Sequence, residues 1–170
     1  LKNIRLFPPA KDPIRFPNTP AYALTSSLEN TQGSLYIDRT DNKSGKDSIP
    51  GYPRFVSSST AYIYYDNPEY VRDTNYLRDV FYFEVAPFTL DSLGNYQKEQ
   101  LRFPGKLVSA GIFPDIQESA YVREDFSLGF AHQVPVEGYS TYANRGRYTG
   151  LLDLSNRGLL GNGTLDYLGA

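Results

Sequence analysis

The chain has 170 residues and a net charge of −2, which gives no electrostatic pull toward nucleic acid or an anionic membrane. It has no cysteine, which excludes disulfides, thiol chemistry and thiolate metal sites. Fifteen tyrosines and ten phenylalanines, without any tryptophan, are cut up by fourteen glycines and twelve prolines, the composition of many short strands joined by turns.

Residues 1–20 carry prolines at 8, 9, 13, 17 and 20, which remove ladder donors and fix φ, so residues 1–32 are expected to be an extended arm. Ile4, Leu6, Phe7, Ile14 and Phe16 would lay that arm on a surface. Strands are predicted over Ser34–Asp38, Ser59–Tyr65 and Asp79–Ala86, where apolar and polar residues alternate. A polar loop over 40–48 and a turn at Pro50–Pro53 separate the first two. Residues 69–78 are the one plausible short helix. Leu90–Tyr96 reads as a turn and Leu101–Ser109 as a strand. Gly111–Pro114 reads as a turn and Tyr121–Phe130 as one or two strands. Val134–Asn144 reads as a loop, and Arg147–Leu154 and Thr164–Leu168 as the last strands. Residues 33–170 then make one β-rich domain, or a segment of a longer one. No apolar run is long enough to cross a bilayer as a helix and no signal peptide is present. The chain starts at Leu1 and not at Met, so it is expected to be processed or a piece of something longer.

A glycine, one residue and a leucine recur at Gly33-Ser34-Leu35, Gly105-Lys106-Leu107, Gly150-Leu151-Leu152 and Gly163-Thr164-Leu165. The second and third copies extend into longer similar stretches, Phe103–Ile112 and Tyr148–Leu159. Internal similarity of this kind is how stacked β architectures show themselves. The expected fold class is therefore all-β, a parallel β-helix-like solenoid or part of one, with a β-sandwich or jelly roll as the alternative. In that arrangement Leu101–Ser109 and the strand from Tyr148 occupy equivalent places in neighbouring coils, with Leu107 and Leu152 both buried.

No catalytic set stands out. His132 is the only histidine, and its neighbours in sequence supply no orienting carboxylate, so it reads as a surface residue. Asp66, Glu69, Asp73 and Asp79 crowd one region together with Arg72 and Arg78, the mixture of an ion-paired surface. Asp38–Asp47 has the oxygen donors of a calcium loop, but Lys43 and Lys46 break the alternation and no bidentate glutamate follows, so no metal is assigned. No cofactor is assigned either. Tyrosines cluster at Tyr62, Tyr64, Tyr65, Tyr70, Tyr76 and Tyr82, and again at Tyr139, Tyr142 and Tyr148. Tyr139, Tyr142, Arg145 and Arg147 are the candidate binding residues, because tyrosine and arginine are enriched in binding hot spots and loops carry function.

Pro104–Pro114, Tyr148–Leu168 and Asn42–Gly45 resemble stretches of very large secreted or outer-membrane-associated proteins of Bacteroidota-type bacteria that contain β-solenoid regions. Asp47-Ser48-Ile49 and Asp91-Ser92-Leu93 also match the short O-glycosylation pattern of such bacteria. The resemblance implies a secreted or outer-membrane-associated location in the cell envelope, and it carries no catalytic residues. The expected role is a non-catalytic structural or interaction module that binds other protein chains or the rest of a longer polypeptide. The alternative is a carbohydrate-binding module or a glycan-processing enzyme with a tyrosine-lined surface.

Overall fold

A computed structural model describes residues 27–39, 41–42, 50–65, 76–95 and 97–169. The predicted helix over 69–78, most of the arm and the Asp47-Ser48-Ile49 site lie largely or wholly outside these residues. The described residues are all-β. In chain order the strands are β1 (Ser27–Glu29), β2 (Gly33–Tyr36), β3 (Arg54–Ser57), β4 (Ala61–Tyr64), β5 (Phe81–Val85) and β6 (Thr89–Leu90). They continue as β7 (Arg102–Ser109), β8 (Ile116–Val122), β9 (Leu128–Gln133), β10 (Tyr139–Thr141), β11 (Gly146–Ser155) and β12 (Gly158–Tyr167). Leu93–Asn95 and Lys98–Gln100 are single 3-10 turns.

The large sheet runs β1-β4-β5-β7-β8-β9-β11, with β10 and β12 also on β11, and β2-β3-β6 form a small second sheet. Every pairing is antiparallel. The expected parallel solenoid is therefore not what these strands build. The two longest similar stretches fall on β7 and β11, which run in opposite directions within one sheet with β8 and β9 between them. Leu107 and Leu152 are both buried, in the same core.

The two sheets are one sheet creased. Residues 54–64 run continuously from β3 into β4, and both neighbouring stretches, 27–36 and 81–90, cross the same crease. Between Glu29↔Tyr62 and Gly33↔Ser57, residues 30–32 face residues 58–61. Between Val56↔Thr89 and Ala61↔Val85, residues 57–60 face residues 86–88. The middle strand thus carries one extra residue against each neighbour, a bulge that bends it. Ser57-Ser58-Ser59-Thr60 supplies the chemistry of the bend. The Ser59 hydroxyl accepts from the Gln32 amide at 3.2 Å and donates to the Asn30 carbonyl at 3.1 Å, while Asn30 Nδ2 donates to the Thr60 carbonyl at 3.0 Å. Short hydroxyl and amide side chains thereby replace ladder bonds that the crease interrupts.

The large sheet curls around its inner face. Ile63, Phe81, Phe83, Val85, Phe103, Leu107, Ile116, Ala120, Leu128, Phe130, Leu152 and Leu154 line that face and are closed to solvent. Phe83 on β5 and Phe130 on β9 are three strand spacings apart, about 14 Å on a flat sheet, yet their ring centroids are 5.8 Å apart. Tyr65, just after β4, donates its hydroxyl to the Leu128 carbonyl on β9 at 2.8 Å. From the creased part, Phe55, Phe88 and Leu90 close over the same core, with Phe88 edge-on to Phe103 at 5.0 Å. Gly105 and Gly129 make the curl sterically feasible. A Cβ on Gly105 would lie 1.9 Å from the Glu84 carbonyl oxygen, and one on Gly129 would lie 1.8 Å from that of Leu154.

Candidate functional site

Antiparallel registry sets a row of residues across the inner face. Ala61, Val85, Gly105 and Glu118 are successive partners from β4 to β8, and His132, Leu152 and Gly161 are successive partners from β9 to β12. The β8–β9 register, Tyr121↔Gly129, carried three residues further brings Glu118 opposite His132. The join is a hydrogen bond: His132 Nδ1 lies 2.9 Å from Glu118 Oε2. On its other side His132 Nε2 lies 2.8 Å from the Tyr139 hydroxyl, with the two rings within 12° of parallel. A carboxylate only accepts, so Nδ1 carries the proton toward Glu118, and in neutral imidazole Nε2 accepts from the tyrosine.

This carboxylate–imidazole–phenol chain ties β8, β9 and β10 together and is mostly shielded from solvent. The Tyr139 phenol is held above its ordinary range, first by burial and then by the Glu118 charge. Both imidazole nitrogens are engaged by protein groups, so His132 orients and is oriented but presents neither nitrogen to a substrate. The sequence placed His132 at the surface. Glu118 escaped notice because the segment before Tyr121 was not read as a strand, although Ile116, Glu118 and Ala120 fall on one face.

The four candidate binding residues do not converge. Tyr139 points to the inner face in the chain just described. Arg147 pairs opposite Ser140 and is exposed, as Ser140 is, on the other face. Tyr142 and Arg145 share the turn between β10 and β11, and both are exposed. That turn is unusual: Tyr142, Ala143 and Asn144 have φ of 49°, 54° and 68°, three successive non-glycine residues in the left-handed region. Isolated residues of this kind cost about 1–2 kcal/mol each. Thr141, immediately before the turn, buries a hydroxyl with no hydrogen-bond partner. Beside it lies a cavity of about 270 Å³ whose walls include Phe113, Tyr142, Tyr148, Leu152, Leu159 and Leu165.

Two further clusters have ordinary explanations. Arg39 chelates Asp41, and Asn42 Nδ2 donates to Asp38 at 2.8 Å, so the described part of the calcium-like loop spends its carboxylates internally. Arg123 pairs with Asp153 and contacts the Tyr121 hydroxyl on the outer face, beside a polar groove of about 580 Å³. Among the described residues no group of three or more His, Asp or Glu side chains is placed to hold a metal ion, and no helix is long and apolar enough to cross a membrane.

The edge of the large sheet beyond β11 is β12. Its ten residues pair with β11 along their whole length, while its other edge meets no strand among the described residues. Leu160, Leu165, Tyr167 and Leu168 are 48%, 57%, 76% and 54% exposed. No family model matches the chain, and neither a curated protein nor a solved structure matches it.

Proposed function

We propose that this chain is a non-catalytic interaction module of a secreted or envelope protein, which binds an extended segment of another polypeptide by adding it to the outer edge of β12. The observation that carries this reading is the edge itself. A free strand edge is a row of unpaired amides and carbonyls that templates another strand, and soluble proteins usually blunt such edges with charge, proline or shortness. β12 is ten residues long, contains no proline and has Asp166 as its single charge. Its exposed leucines and tyrosine offer alternate side-chain contacts on both faces to an incoming strand. The closed hydrogen bonding of Glu118, His132 and Tyr139 fits a structural role for the one histidine. Sedimentation over a range of concentrations tests the reading. Association is expected for the native chain, and Leu160→Lys with Thr164→Lys on β12 should abolish it without lowering the melting temperature. A compact monomer at high concentration overturns it.

A second reading, glycan contact, is favoured by the outer face of β4 and β5. There Tyr62 and Tyr64 stack at 6.1 Å within 16° of parallel, and Tyr82 meets Tyr62 edge-on at 5.7 Å. All three are half-buried, a tyrosine surface with a polar rim. Arg78 already covers Tyr64 at 4.2 Å, which removes part of that surface from any sugar ring. Retention on insoluble polysaccharide that Tyr62→Ala abolishes would favour this reading over strand addition.

A further inference from the structure

We propose that the cavity between the β10–β11 turn and β12 is a binding site for a small neutral aromatic molecule of one or two fused rings with a hydrogen-bonding substituent, such as a phenol or an indole. Size sets the ring count. An apolar cavity of about 150 Å³ accepts benzene, and this one is about 270 Å³. Lining sets the class. The walls are aromatic rings and leucines, with Phe113 and Tyr148 edge-on to each other at 5.6 Å, the geometry into which a further ring packs by offset or edge contact. No charged side chain lines the cavity, so a charged ligand would lose its hydration with nothing to replace it.

Two independent observations point to an occupant. The Thr141 hydroxyl belongs to a wall residue only 1% exposed, and it has no partner. The wall's other described hydroxyls include that of Tyr148, which donates to the Leu151 carbonyl at 2.6 Å, and that of Tyr76, which accepts from the Leu159 amide at 2.9 Å. A buried orphan hydroxyl costs stability, and a ligand's polar substituent would satisfy it. The second observation is the run of left-handed residues that starts at the next position, Tyr142, a wall residue 56% exposed. Such strain persists where the surroundings over-determine the backbone, and it clusters at ligand clamps. Here it holds the Tyr142 side chain at the rim of the cavity.

The protein has no tryptophan, so the emission of added indole is read without a protein background. Titration of the whole chain should give saturable binding with a blue shift of that emission. Thr141→Val keeps the side-chain shape and removes the hydroxyl. It should weaken indole about tenfold, the loss of one hydrogen bond, and leave naphthalene, which has no such group, unchanged. Leu165→Phe fills the cavity from an exposed position and should weaken both probes tenfold or more. Tyr142→Gly relieves the left-handed turn, so it should raise the melting temperature while weakening both probes. Absence of saturable indole binding up to its solubility, by emission and by ligand-observed NMR, overturns the proposal. So does binding that Leu165→Phe leaves unchanged, or a tryptophan-containing hexapeptide that binds a hundredfold more tightly than indole, which would make the occupant a partner's side chain.

Discussion

Gly150 and Gly163 face each other directly across the β11–β12 pair, backbone to backbone. A Cβ on Gly150 would lie 2.5 Å from the Gly163 Cα, and one on Gly163 would lie 2.0 Å from the Thr149 carbonyl oxygen. Tyr148 exploits the missing side chains. Its ring lies over Gly161 and its hydroxyl reaches the space above both Gly161 and Gly163. Two copies of the phrase that made the sequence look repetitive are therefore the two sides of one hairpin.

Gly163→Ala should accordingly cost about 1–3 kcal/mol, the range for forcing atoms into packed space. The loss would come with displacement of the Tyr148 ring, seen as a change in near-ultraviolet dichroism. Gly94→Ala is the control. Its Cβ would meet nothing closer than Pro53 at 3.7 Å, and its stability should stay within about 0.5 kcal/mol of the native chain.

How legible this fold was depends on what each segment buries. Alternation revealed β4, β5, β7 and β11 because each buries every second residue against one core. β3 was missed because its end runs into Ser57-Ser58-Ser59-Thr60, a stretch that reads as a loop and in fact carries the crease. The start of β8 was missed because Gln117, Glu118 and Ser119 are consecutive polar residues, one of which faces inward to reach His132. The repeated glycine phrase was visible, but its cause was not. Glycine recurs where strands of a curled sheet press backbone against backbone, and that need is the same whether neighbours run parallel or antiparallel. The candidate loop was correctly marked as a turn region, yet strand alternation turns Tyr139 inward and Arg147 outward, so the four residues form no single patch.

Leu152→Ala should destabilise the chain by about 2–5 kcal/mol, because Leu152 is 1% exposed within the shared core. Leu165→Ala on the neighbouring strand, where the leucine is 57% exposed, should cost far less. Paired urea titrations check the contrast. Equal losses would mean that the inner face is not the core.

Stability should fall as pH rises above about 10, the ordinary phenol value. Burial raises the phenols of Tyr65, Tyr139 and Tyr148 in the folded chain. Between the unfolded and folded values the unfolded chain has released protons that the folded chain keeps, so alkali favours unfolding. The contribution is intact below the unfolded value and is lost on the way up to the folded one. Tyr65→Phe removes the most deeply buried of the three and the bond to the Leu128 carbonyl. It should cost about 1 kcal/mol at neutral pH and flatten the alkaline limb of the melting-temperature profile. An unchanged limb would show that Tyr65 titrates in water.

The single imidazole makes the inner-face network directly observable. Nitrogen chemical shifts should report the Nδ1-protonated tautomer of His132 at neutral pH, because Glu118 takes that proton. Tyr139→Phe should cost about 0.5–1.5 kcal/mol, one hydrogen bond, and combining it with Glu118→Gln should give a non-additive loss. Additive losses, or the opposite tautomer, would mean that the three groups act separately.

The crease at Ser57–Thr60 ties the fate of the small sheet to that of the large one. β2, β3 and β6 are continuations of the stretches that contribute β1, β4 and β5, so no linker exists at which the small sheet could detach and unfold first. Melting of Phe55, Phe88 and Leu90 from the core would pull on the same strands that carry Ile63, Phe83 and Val85. The amides of Phe55 and Ile63, on opposite sides of the bend, should therefore exchange with deuterium at the same opening free energy, and the described strands should behave as one cooperative unit.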